Sequence, residues 1–117
     1  MTAPINKWVD VCSIDDLQPN SGVCALVENQ QVAIFYMPED NAVFAINNYD
    51  PFSHINILSR GLIGDIKGEP MVSSPIYKQH FSLKTGLCLE DESVNVDAYA
   101  VCIEGERVKV NLNGAVQ

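Results

Sequence analysis

The segment Arg107-Val108-Lys109-Val110-Asn111-Leu112 alternates apolar and polar residues without a break, and this two-residue period recurs through most of the chain. Successive side chains of an extended strand point to opposite faces. The pattern therefore sets Val108, Val110 and Leu112 on a dry face and Arg107, Lys109 and Asn111 on a wet one. Helical periodicity is hard to find, which makes this mainly a β protein. Residues 7–12 read as a first strand with Trp8 as a core or sheet-edge anchor. Ser13-Ile14-Asp15-Asp16-Leu17 follows as one short helical turn, with Ser13 as cap and an acidic residue three positions on. Residues 23–28 and 31–37 form a hairpin around Asn29-Gln30, and Pro38-Glu39-Asp40-Asn41 turns the chain into a third strand at 42–47. Residues 94–103 and 107–112 pair across Glu104-Gly105-Glu106, and 113–117 read as a frayed tail.

The stretch from about 50 to 92 differs in character. Gly61, Gly64, Gly68, Pro70, Pro75 and Gly86 cut it into short apolar runs, the composition of a loop-rich tip carried on a rigid scaffold. It reads as a small inserted subdomain within a single domain spanning 1–117. A chain of 117 residues has no room for a second core. Its hydrophobic fraction of 47% is enough to fold. Fifteen acidic against seven basic residues give a net charge of −8. That balance repels phosphate backbones and anionic membranes, so nucleic acid and lipid are not expected partners. The first residues lack the apolar core of a signal peptide, and no apolar run approaches the roughly 20 residues that span a bilayer. A cytoplasmic protein is expected. Cys12, Cys24, Cys88 and Cys102 stand far apart among apolar residues and read as reduced core thiols.

Two phrases in the insert carry a family resemblance. Leu58-Ser59-Arg60-Gly61 follows the loop Tyr49-Asp50-Pro51-Phe52-Ser53-His54. Phe81-Ser82-Leu83-Lys84-Thr85-Gly86 follows the loop Ser74-Pro75-Ile76-Tyr77-Lys78-Gln79-His80. With strands before and a closing hairpin after, this order resembles a Rieske-type domain over about residues 8–112. The resemblance implies an all-β, antiparallel β-sandwich with the loop-rich subdomain inserted. Counted back from the two phrases, the family's cluster-ligand positions fall on Pro51 and Ser53 in the first loop and on Ser74 and Tyr77 in the second. A Rieske [2Fe–2S] centre needs two thiolates on one iron and two imidazoles on the other. Proline cannot ligate, and serine and tyrosine oxygens are poor substitutes, so no cluster, other cofactor or metal is expected in this chain.

Cluster-free domains of this length resemble the small subunits of the cytoplasmic NADH-dependent assimilatory nitrite reductases, to which Tyr49-Asp50-Pro51-Phe52-Ser53 and Leu58-Ser59-Arg60-Gly61-Leu62-Ile63-Gly64-Asp65 point. That resemblance implies a non-catalytic subunit beside a large subunit carrying FAD, an iron–sulfur cluster and sirohaem, the complex reducing nitrite to ammonium in nitrate assimilation. The alternatives are a Rieske-type ferredoxin that carries electrons to an oxygenase and a generic interaction module of the same fold. No catalytic residue is expected.

The remaining residues of note lie at the tip. His54 and His80 flank the loops and, with a carboxylate such as Asp50, make a candidate metal site. Without a fixed short spacing they read instead as surface or hydrogen-bonding residues. Ser53-His54 adjacency does not make a nucleophilic dyad. Phe52, His54 and Arg60 are candidates for a partner-facing tip. Tyr77 reads as a plug for the space a cluster would fill, Phe52 equally as plug or partner contact, and Arg60 as an internal brace to Asp50 or Asp65.

Overall fold

The computed structural model describes residues 8–115. The expectations for residues 1–7 and 116–117 lie outside them. The strands, in chain order, are β1 (Val9–Ser13), β2 (Ser21–Val27), β3 (Gln30–Met37), β4 (Ala42–Asn47), β5 (Tyr49–Asp50), β6 (Ile55–Asn56), β7 (Leu62–Ile66), β8 (Glu69–Ser73), β9 (His80–Ser82), β10 (Ala98–Glu104) and β11 (Arg107–Ala115). Antiparallel pairing assembles the main sheet in the order β1-β11-β10-β4-β3-β2, and its edge strands β1 and β2 approach one another. The chain leaves this sheet after β4 and rejoins it at β10. In between it builds the β5-β6 hairpin and the three-stranded sheet β7-β8-β9.

The short turn after β1 forms as its sequence requires. Ser13 Oγ accepts from Asp15 N at 3.2 Å and Asp16 Oδ2 accepts from Ser13 N at 2.9 Å, closing a capping box around the 3₁₀ turn Ile14–Asp16. The β2–β3 turn is Glu28-Asn29, one residue earlier than expected, with φ of 49° and 70°. Two consecutive left-handed residues match the right-handed twist of the flanking strands, and Asn tolerates that conformation.

Alternation fails at β3, where Val32, Ala33, Ile34 and Phe35 are all 0% exposed. The even positions join Val27, Ala45, Tyr99, Val108 and Val110 inside the curled sheet. The odd ones join Ile46, Leu58, Val72, Phe81, Leu83, Cys88 and Val96 beneath the insert. The insert thus makes this strand central in two senses: both neighbours and both faces are covered. Asn111, expected on the wet face, is buried opposite Ala100, next to the bulge that shifts the β10–β11 register. The backbone of β11 continues to Ala115, so residues 113–115 extend a strand where a tail was expected. Residues 94–97 precede β10, because their backbone turns to the insert: Val96 N donates to Gly86 O at 2.9 Å and Asn95 bridges Leu87. Only Cys88 of the four free cysteines is buried, and burial pushes its thiol above the usual range. Cys24 is exposed at the edge of the sheet, which corrects its placement in the core.

The glycines ending the two motif phrases are fixed by contact. A Cβ on Gly61 would fall 2.3 Å from the Ser73 carbonyl oxygen, so this residue lets the first loop's exit press against β8. A Cβ on Gly86 would fall 1.9 Å from the Val96 carbonyl oxygen, and φ there is +80°. We expect Gly86→Ala to lower unfolding free energy by about 2–4 kcal/mol, since overlap and a left-handed backbone act together. Urea denaturation checks this, with Gly105→Ala, where a Cβ meets nothing within 4 Å, as the reference for φ alone.

Candidate functional site

Each loop of the insert opens on a residue followed by proline, at Asp50-Pro51 and Ser74-Pro75, which favours turn initiation. The two then close alike. His54 N donates to Asp50 O at 2.8 Å and Lys78 N donates to Ser74 O at 3.0 Å, with His54 and Lys78 both left-handed at φ of 63° and 67°. The opening side chains repeat the likeness: Phe52 N donates to Asp50 Oδ1 at 2.9 Å, and Ile76 N to Ser74 Oγ at 3.3 Å. Asx and Ser/Thr turns of this kind let a side chain replace a backbone acceptor. The loops are therefore two copies of one turn.

They meet through their first residues. Asp50 is 0% exposed and Ser74 is 1% exposed. Asp50 Oδ2 accepts from Ser74 Oγ at 2.5 Å and from Ser53 Oγ at 2.9 Å. A single carboxylate thus ties Ser53 of one loop to Ser74 of the other. Among the described residues no Lys, Arg or His side chain bonds this carboxylate. Burial pushes the Asp50 carboxyl up, but the Ser74 hydroxyl, the Phe52 amide and the Ser53 donors outweigh it and hold it below the usual carboxylate range.

Asn48, at the start of the first loop and given no role from sequence, anchors that loop from below. It is 2% exposed. Its Oδ1 accepts from Ser59 N at 2.7 Å, its carbonyl accepts from Ile57 N at 2.9 Å and Leu58 N at 3.0 Å, and its Nδ2 donates to Gln31 Oε1 at 3.1 Å. Leu58, 0% exposed, is thereby locked into the core and carries the Leu58-Ser59-Arg60-Gly61 phrase with it. Asn48 directly after a predicted strand and beside Tyr49-Asp50 was the available signal, because buried amides occur where loop backbone needs both donor and acceptor.

Of the aromatic tip residues, Phe52 takes the inward role, one of the two left open for it, and the plug role expected of Tyr77 is overturned. Phe52 is half-buried and packs on Phe81 with ring centroids 6.1 Å apart. Tyr77 is 59% exposed and fills no interior space. Packing on Phe81 accounts for the first; Tyr77 stands one position later in its turn, where the first loop has Ser53. Arg60 is exposed and makes no ion pair among the described residues, so the brace to Asp50 or Asp65 does not form. Asp50 has its hydroxyl and amide donors instead. His54 Nδ1 hydrogen-bonds Tyr49 Oη at 2.8 Å, and His80 Nδ1 hydrogen-bonds Glu90 Oε2 at 2.6 Å. Among the described residues no three His, Cys, Asp or Glu side chains gather closely enough to hold a metal ion. No helix there is long and apolar enough to cross a membrane.

This architecture matches known proteins. A family model described as the Rieske-like [2Fe-2S] domain fits residues 7–111. The NADH-dependent nitrite reductase small subunit of Escherichia coli K12 is 50% identical over 95 residues, covering 81% of this chain and 88% of the relative. The chain belongs to the nitrite reductase small-subunit family, on a Rieske-like fold. The NMR structure of the Escherichia coli protein NirD superposes with a TM-score of 0.81 at 47% identity, covering 89% of this chain and 94% of that one. A large subunit of a nitrite reductase [NAD(P)H] from Klebsiella oxytoca is 36% identical over 107 residues, which is 92% of this chain and 11% of the relative.

The fold family implies a [2Fe–2S] cluster, and the residues at the counted positions do not fit one. Pro51 has no donor atom, the hydroxyls of Ser53 and Ser74 are committed to Asp50, and Tyr77 points its ring outward. A cluster needs soft thiolates and imidazoles. Two of the four counted positions instead carry hydroxyls bonded to one carboxylate.

Asp50 should reveal itself by pH. Its folded pKa lies below the unfolded value near 3.8, so its contribution is complete above that value and is lost as pH falls through the folded one. We expect Asp50→Asn to lower unfolding free energy by about 2 kcal/mol at neutral pH. The gap to the native chain should narrow below about pH 4 in urea titrations run at several pH values.

Proposed function

We propose that this chain is a cofactor-free, non-catalytic small subunit of an NADH-dependent nitrite reductase, and that it works by docking the tip of its insert onto the large subunit. The carrying observation is the character of that tip. Its interior is closed by a neutral set of donors around one carboxylate, while Ile55, Ile76 and Tyr77 stand outside at 48%, 43% and 59% exposure. Apolar and aromatic side chains held on an ordered scaffold make effective anchors, because little freedom remains to be lost on binding. Tyr77 and Ile76 join Phe52, His54 and Arg60 in the proposed surface, with Phe52 supporting it from below.

The partner reading is supported by the Klebsiella oxytoca relative, in which a stretch resembling 92% of this chain forms part of one large-subunit polypeptide. It favours one small domain per large subunit. Electrons from NADH would then reach nitrite through the flavin, iron–sulfur and sirohaem groups that the family resemblance assigns to the large subunit, in the cytoplasm, as part of nitrate assimilation. The small subunit would order or shield that assembly without lying in the electron path. A ferredoxin role needs two thiolates and two imidazoles at the ligand positions, and Pro51, Ser53, Ser74 and Tyr77 at the counted positions supply none.

The purified chain should be colourless and inactive, and should restore nitrite-dependent NADH oxidation when added to its large subunit. Activity unchanged by its addition would sink the reading. The double variant Ile76→Ala with Tyr77→Ala should weaken the association about tenfold or more, measured by calorimetry, while leaving the melting temperature of the free chain nearly unchanged.

A further inference from the structure

The two loops are separated by 24 residues at their point of contact, Ser74 Oγ to Asp50 Oδ2, yet they are copies of one turn joined head to head. Ligands drawn from both loops to one metal cluster would supply such a cross-link. Here the two hydroxyls at counted ligand positions, Ser53 and Ser74, converge on the same carboxylate oxygen, each from its own loop. Removing a carboxylate from water without a cation is unfavourable unless donors satisfy it. Neutral donors do so here, and each is itself part of a turn: the Phe52 amide closes the first Asx turn, and Ser74 Oγ also accepts the Ile76 amide of the second. Neither turn can shift without changing the shared bond.

We propose that the Ser53–Asp50–Ser74 bridge replaces the cluster as the cross-link between the loops, making them one platform, and that the large subunit recognises this joined platform rather than either loop alone. Asp50 and Ser74 are thus positioning residues. Ile55 and His54 follow Asp50, whereas Ile76 and Tyr77 follow Ser74, so one hydrogen bond directly joins the two turns that carry the exposed apolar groups. The bridge is internal to this chain and stands on its geometry. Its consequence for docking rests on the function proposed above.

The test reads each loop after a substitution in the other. Ser74→Ala removes only a hydroxyl and leaves every side chain of the first loop in place. Hydrogen exchange should then accelerate at the Phe52 and His54 amides by about tenfold or more, as local opening no longer has to break the link between loops. Exchange at Ile34 and Val110 in the main sheet should be unchanged. Asp50→Asn should accelerate Ile76 and Lys78 in turn. The double variant should add little to either single one, since both singles break the same coupling. Effects confined to the substituted loop, or strictly additive effects, overturn the bridge.

Binding to the large subunit separates the two claims. Ser74→Ala should weaken association about tenfold although Ile55, Ile76 and Tyr77 are intact. Native affinity in a variant whose loops exchange freely overturns recognition of the joined platform and leaves the bridge standing. A native chain that fails to bind overturns the proposed partner, while the exchange data still judge the bridge.

Discussion

A carboxylate removed from water with no cation beside it must be compensated entirely by hydrogen-bond donors, and the insert of this protein is organised around meeting that demand. Asp50 draws an amide from its own turn, a hydroxyl from the same loop and a hydroxyl from the other. The Ser74 hydroxyl also accepts the Ile76 amide, so satisfying the charge couples the backbone turns of both loops. Asn48 performs the complementary task below, tying the loop exit to β3 through Gln31. Gly61 then lets that exit lie against Ser73, one residue before Ser74. The path from the main sheet to the tip is continuous, and each step is a named contact.

The proposed bridge would let a fold associated with a metal cluster keep its shape around Pro51, Ser53, Ser74 and Tyr77. The turns at Leu58-Ser59-Arg60-Gly61 and Thr85-Gly86 depend on steric fit between backbone segments, not on metal. Gly86 is pressed against Val96, and Leu58 is enclosed by the main core. The cross-link between the loops is electrostatic and neutral in its donors, and the surface outside it is free to be apolar. The docking role proposed above suits such a surface.

Several features were legible because they follow from local rules. Two-residue alternation located the hairpins, Ser13 and Asp16 marked their capping box, and glycine and proline density marked the insert. Other features depended on burial by distant segments. Val32 to Phe35 reads as an ordinary strand until the insert covers its second face. Asn29-Gln30 looked a suitable turn, but the twist of β2 and β3 selected Glu28-Asn29. Arg60 beside two acidic residues suggested an ion pair, whereas hydroxyls reached Asp50 first and Arg60 stayed in water. Phe52 and Tyr77 are both aromatic; contact with Phe81 takes one inward and the other stays exposed.

The sequence by itself determined the antiparallel β class, the place of the insert, the glycines its turns require and the residue types at the counted ligand positions. These are matters of periodicity, local backbone conformation and donor chemistry, all contained in short stretches of chain. Which acid is buried, which hydroxyls hold it and which aromatic faces outward were decided only by tertiary structure. The Asp50–Ser74 contact spans 24 residues. It exists only when β7, β8 and β9 fold the second loop back onto the first, and no local pattern in either loop specifies that meeting.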